Sequence, residues 1–191
     1  DKVLLSFMYA TGARAQEICD LKVRDLRIDA NSASITLTGK GSKTRQVGIA
    51  EKLVGTLQSY IKHRHIELFP NRHIFSSQTH EQMTISCVEG IYKKYVTLAK
   101  KSNPGLFLAD SYPPHSMRHS TACHLLEAGV DIVTIKNILG HVSLQTTQIY
   151  AEISQNTVDQ KLREWNETWF GENKKIEMKK SVNVPDFLRK R

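Results

Sequence analysis

Apolar residues recur along this chain at two periods, and the changes between them mark out the elements. Val3, Leu4, Phe7 and Met8 are spaced three and four apart, one face of a helix, and Thr11-Gly12 breaks the run. A second short helix is predicted from Arg14 to Leu21, with Ile18 and Leu21 toward a core. From Asp25 to Ile49 the period falls to two: Ile35 and Leu37, then Val47 and Ile49, alternate with polar neighbours on either side of GKGSK. A β-hairpin or small meander is expected there, turned by Gly39 and Gly41. Helical spacing returns over 51–69 (Leu53, Leu57, Tyr60, Ile61) as far as Pro70-Asn71, and again at Val88, Ile91, Tyr92, Tyr95 and Leu98. Beyond the breakers Asn103-Pro104-Gly105 and Pro113-Pro114, helices are predicted near 115–128, 131–139, 143–151 and 152–169. The stripe Ile132, Ile135, Ile138 and Leu139 is assigned to the core. The pattern describes a mainly α protein with a small antiparallel β-sheet, an α+β architecture without internal repeats.

Composition narrows the function classes. Of 191 residues, 40% are hydrophobic, enough for a folded domain and too many for a disordered chain. No run approaches the ~18 apolar residues of a membrane-spanning helix, so no membrane partner is expected. Cys19, Cys87 and Cys123 lie far apart, which argues against a disulfide framework and favours a reducing, cytoplasmic setting. The pattern opens inside a helix with no cap and no initiator Met, so a fragment of a longer protein, lacking an N-terminal domain, is expected. The formal net charge is +8, half of it in 171–191, where seven basic residues face three acidic ones. We therefore expect one domain over 1–170 and a basic tail over 171–191, with a polyanion such as nucleic acid as partner.

Candidate chemistry gathers around phosphate. PPHSMRH places His115 and Arg118 three apart at a helix start, so both project from one side, near backbone N–H groups that favour anions. Gly140-His141 is followed by Tyr150, and upstream stand Arg14, after a helix break, and Lys40, between two glycines. Arginine suits phosphate because its planar fork donates two hydrogen bonds to two oxygens. His115, His119 and Cys123 at i, i+4 and i+8 also invite a zinc reading, but they give three ligands on one helix. Hydrogen-bonded, buried roles for His119, Cys123 and His124 are expected instead, and His63, His65, His73 and His80 are assigned to surface or packing.

Five blocks in order, TGARAQEICDL (11–21), TGKGSKTRQVGI (38–49), HSMRHSTACHLLEAG (115–129), ILGHVS (138–143) and TTQIYAEI (146–153), resemble the catalytic domain of the tyrosine recombinases, the phage-integrase family. The resemblance implies that Tyr150 attacks a DNA phosphodiester, giving a 3′-phosphotyrosine and a free 5′-hydroxyl, with strand exchange through a Holliday junction. It implies that Arg14 and Arg118 clamp the scissile phosphate, that His115 does acid–base work, that Lys40 protonates the leaving 5′ oxygen and that His141 hydrogen-bonds the phosphate. Lys43 competes with Lys40 for that role; Lys43 and Arg45 are expected to contact DNA, and Glu17 to buttress the site. The chemistry implies neither a cofactor nor a metal, because the covalent bond stores the energy of the broken one. The partners implied are double-stranded recombination sites and three further copies of the chain, joined through the C-terminal tail, with the protein on the nucleoid of a prokaryote or on phage DNA. Met117, Ser120-Thr121-Ala122-Cys123 and Gly48 depart from the usual family pattern without removing a catalytic group. A type IB topoisomerase and a non-catalytic DNA-binding module are the competing readings.

Overall fold

The computed structural model describes residues 1–30, 32–106, 109, 111–140 and 163, and of Lys40 and Leu106 only the backbone. The chain divides into two units, Asp1–Ser154 and Gln155–Arg191, and all described residues except Arg163 belong to the first. The helices predicted at 143–151 and 152–169, and the boundary expected at 170, lie outside the described residues.

Helix α1, Lys2–Thr11, buries Leu4, Phe7 and Met8 and stops at Gly12, whose φ of 57° lets its N–H return to the Met8 carbonyl at 2.9 Å. Helix α2, Ala15–Asp20, starts immediately after Arg14 and buries Glu17, Ile18 and Cys19. The meander is a three-stranded antiparallel sheet in the order β1 (Leu26–Ile28), β2 (Ala33–Thr38), β3 (Thr44–Gly48). Its register sets Ile35 opposite Val47 and Leu37 opposite Arg45. Ile35, Leu37 and Val47 are buried, as the two-residue period requires of one sheet face. The tight turn Lys40–Ser42 between β2 and β3 carries Gly41 at φ 74°.

Helix α3, Glu51–His63, ends earlier than the expected 69. Continuing it would carry Arg64 and His65 onto the stripe of Leu57 and Ile61. Instead His65 takes φ 53°, the chain turns, and Ile66 is buried, its N–H bonded to the Ile61 carbonyl at 3.3 Å. The Arg64 guanidinium donates to the His73 and Ile74 carbonyls, fixing the turn against the following loop. Helix α4, Ile85–Ser102, is capped by the Thr84 hydroxyl on the Cys87 N–H. Helix α5, His115–Glu127, follows Pro113-Pro114, and helix α6, Ile132–Leu139, is capped by Asp131, whose carboxylate accepts from the Val133 and Thr134 N–H groups at 3.0 and 2.9 Å.

One large core joins α1, α2, the sheet, α3 and α4 around Phe7, Ile18, Leu21, Leu37, Leu57 and Phe75. Ala122, Ile135 and Leu139 form a smaller one between α5 and α6, with Ile132 and Ile138 only partly buried. Where α5 crosses α1 its inward face is polar, burying Arg118 and Thr121; the Thr121 hydroxyl donates to the Tyr9 carbonyl at 2.7 Å. Among the described residues, no helix is long and apolar enough to cross a membrane.

Candidate active site

The site is built on the C-terminus of α6. The last turn of a helix leaves carbonyls without intrahelical donors. Gly140, at φ 65°, turns the chain, and its N–H bonds back to the Asn137 carbonyl at 3.1 Å. The next three carbonyls each accept from a different arginine. Arg45 Nε donates to Ile138 O at 2.8 Å, Arg118 Nη2 to Leu139 O, and Arg14 Nη2 to Gly140 O at 3.3 Å. The negative end of the helix dipole favours this gathering of cations.

Each arginine arrives on another element. Arg118 projects from the first turns of α5, is 1% exposed, and donates through Nη1 to the Gly12 carbonyl at 2.6 Å, so it lies between the C-terminal ends of α1 and α6. The close approach depends on Gly12: a Cβ there would sit 2.4 Å from Leu139 Cδ2. Arg14 precedes α2, and 39% of its side chain remains exposed. Arg45 comes from β3, where 11% of its side chain is exposed.

Glu17 knits two of these arginines together. Its carboxylate accepts from the Arg14 N–H at 2.8 Å and from Arg14 Nη1 at 2.9 Å, and it receives Arg45 in a two-pronged pair at 2.6 and 2.7 Å. Burial alone would raise its pKa, but the hydrogen bonds and charge of Arg45 and Arg14 outweigh it and hold the carboxyl below its ordinary range. Glu17 is thus a buried carboxylate between two guanidinium groups. The side chain of Arg45, expected on DNA, enters the protein, because its place opposite Leu37 aims it at Glu17 and α6.

His115, at the exposed start of α5, meets the edge of His119 with ring centroids 5.0 Å apart. Partial burial, followed by the positive neighbours His119, Arg118 and Arg14, lowers its pKa, so the ring is neutral at neutral pH. Ser116 beside it hydrogen-bonds Tyr92 of α4 at 3.0 Å, which ties down the start of the helix. Of the other candidates, Lys43 is exposed at the foot of the hairpin turn, its carbonyl accepting from the Gly39 N–H at 2.8 Å. The Lys40 side chain, His141 and Tyr150 lie outside the described residues. Among the described residues no cluster of His, Cys, Asp or Glu could hold a metal ion. Cys123 packs in the smaller core, where burial raises its thiol pKa. His124 is hydrogen-bonded as expected, to the Tyr9 hydroxyl at 2.6 Å, but on the surface.

Three arginines around one helix end, with His115 one turn before Arg118 on α5, suit an anion with several oxygens. The phage integrase family model matches residues 1–157. The chain belongs to the phage integrase family. It is 32% identical to the tyrosine recombinase XerA of Pyrococcus furiosus over 155 residues, which is 81% of this chain and 50% of that protein. To the tyrosine recombinase XerC of Chlamydia caviae it is 36% identical over 157 residues, 81% of this chain and 47% of the relative. The chain thus spans about half the length of the curated relatives it matches. The fold is similar to a crystal structure of XerH site-specific recombinase bound to its difH substrate before cleavage, with TM-score 0.67 and 25% identity over 78% of this chain and 42% of that one. A crystal structure of XerA recombinase matches with TM-score 0.63 and 30% identity, over 87% of this chain and 61% of the other. The mainly helical fold with its small antiparallel sheet is the family's catalytic-domain fold.

The carbonyls of Gly12, Ile138, Leu139 and Gly140, which hold the three arginines, are not visible in a reading of side chains. The signal for them is the glycine that closes each helix, in TGAR and in ILGH, since a left-handed cap leaves carbonyls facing outward from the helix end.

Proposed function

We propose that this chain is the DNA-cleaving part of a site-specific tyrosine recombinase that breaks and rejoins double-stranded DNA without cofactor or metal. The Tyr150 hydroxyl attacks a phosphodiester phosphorus, the bond to the 5′ oxygen breaks, and a 3′-phosphotyrosine forms. Neutral His115 takes the tyrosine proton, and Lys40 gives a proton to the departing 5′ oxygen. Arg14, exposed at the rim, binds the phosphate oxygens directly, and Arg118 adds its charge from the buried side of the same helix end. His141, the next residue after Gly140, adds a hydrogen bond to the phosphate. A 5′-hydroxyl from a partner duplex then attacks the phosphotyrosine and releases Tyr150, and two such exchanges pass through a Holliday junction.

The observation that carries this reading is the convergence of Arg14 and Arg118 on consecutive carbonyls at one helix end, with His115 one turn from Arg118. The XerH complexes with difH DNA support double-stranded recombination sites as partner. Assembly of four copies through the 171–191 tail, and work on the nucleoid of a prokaryote or on phage DNA, belong to the same proposal.

The test is an SDS-resistant adduct formed in EDTA on nicked suicide duplexes, using a panel of sites that includes the difH sequence of those complexes. The adduct is expected with the wild-type chain and absent with Tyr150→Phe. Its persistence in that variant, or a strict need for divalent metal, contradicts the mechanism. For Lys40, a 5′-bridging phosphorothiolate, whose sulfur leaves without a proton, is expected to restore cleavage in Lys40→Ala; no restoration removes Lys40 as the acid.

A further inference from the structure

We infer that Arg45 is a positioning residue whose task is electrostatic: it takes up the charge of Glu17 so that Arg14 remains a cation toward phosphate. The inference rests on the reading of Arg14 as a phosphate ligand. Glu17 is 2% exposed and its carboxyl is held ionised. Its Oε1 stands 2.9 Å from Arg14 Nη1, so Arg14 and Glu17 alone make a neutral pair beside the place where an anion must bind. A carboxylate that close to the clamp repels a phosphate through the same low-dielectric surroundings that strengthen the clamp. With Arg45 the trio carries one net positive charge.

Geometry assigns the neutralising role to Arg45 and the binding role to Arg14. Arg45 gives Glu17 both prongs of its fork, at 2.6 and 2.7 Å, whereas the Arg14 side chain gives one bond. Its Nε is committed to the Ile138 carbonyl at 2.8 Å, and its Cδ lies 2.9 Å from where a Cβ on Gly140 would be. Arg45 therefore has no freedom to swing toward a ligand, while Arg14 keeps 39% of its side chain exposed. The alternative is mechanical, with Arg45 as a strut between β3 and α6 whose charge is incidental. The two roles separate because lysine keeps the charge and loses the fork, and because removing both Glu17 and Arg45 charges restores the cation without restoring the strut.

The experiment titrates the 191-residue chain with inorganic phosphate at low salt and follows the Nε–Hε resonance of Arg14. In the wild type that resonance is expected to shift and saturate, with binding lost in Arg14→Ala. Arg45→Met is expected to weaken phosphate binding about tenfold, the weight of one uncompensated charge at hydrogen-bond range. Arg45→Lys and the double variant Glu17→Gln/Arg45→Met are each expected to stay within about threefold of wild type. If both bind as weakly as Arg45→Met, or if Arg45→Met binds like wild type, the charge role is overturned while the phosphate site stands. If the wild type shows no saturable shift at Arg14, the phosphate reading falls and this inference with it. Should Arg45→Met lose its helical circular dichroism, the lysine and double variants decide the question by themselves.

Discussion

The end of α6 and the tip of the β2–β3 hairpin are two contrasting ways of presenting cationic chemistry. At α6, three arginines are tied to successive backbone carbonyls, two of them also to a buried carboxylate, and one is almost wholly enclosed. At the hairpin tip, a Cβ added to Gly41 would meet nothing within 4 Å, Ser42 adopts φ 56°, and Lys43 is exposed. The α6 groups are therefore oriented before any substrate arrives. At the hairpin the described bond is a backbone one, from the Gly39 N–H to the Lys43 carbonyl at 2.8 Å. Preorganised donors stabilise developing charge without reorganising, which is why the proposed function places phosphate binding at the first region.

The largest expected effect comes from Arg118. Arg118→Met strands the Gly12 and Leu139 carbonyls in the interior, and is expected to destabilise the fold by about 3 kcal/mol or more. The same change should reduce adduct formation at least about a hundredfold. Urea unfolding and single-turnover cleavage read the two losses, and a near-native result in both would break the account of α6. Next comes a matched pair of glycines. Gly12→Ala must accommodate a Cβ 2.4 Å from Leu139 Cδ2 at φ 57°, for a cost of about 2–3 kcal/mol. Gly41→Ala, at φ 74° in open space, should cost only about 1 kcal/mol. Equal losses in urea would mean the two regions are packed alike.

The smallest effect is a pH dependence. His115 titrates below its ordinary range when folded, so between that lowered value and the usual 6.5 the unfolded chain binds more protons than the folded one. Its contribution to stability is thus full above that window and diminishes as pH falls through it. Unfolding free energies from pH 7.5 to 5 should fall more steeply for wild type than for His115→Gln; parallel curves would show that burial and the charges of His119, Arg118 and Arg14 together do not shift the ring.

Much of the fold was legible because local signals agreed: Thr11-Gly12 closed the first helix, and alternation of Ile35, Leu37 and Val47 marked a buried sheet face. The end of α3 was not, because it depends on Arg64 finding carbonyls in a later loop. Arg14, Arg118 and His115 were legible as members of ordered blocks. The inward course of Arg45 was not, since Glu17 and Ile138 lie on elements remote in sequence and a basic residue near a hairpin reads equally well as a surface contact. The closing glycines of TGAR and ILGH mark carbonyls at the helix ends, but not which arginine reaches them.

Whether the arginines at the end of α6 are fixed without a ligand is read most directly in the side-chain ¹H–¹⁵N spectrum of arginine in the free chain. Guanidinium groups held by two or more directional hydrogen bonds rotate slowly about Nε–Cζ, so Arg45 and Arg118 are expected to show resolved, separate Nη resonances at 25 °C. A single averaged Nη signal for either would contradict a preformed site.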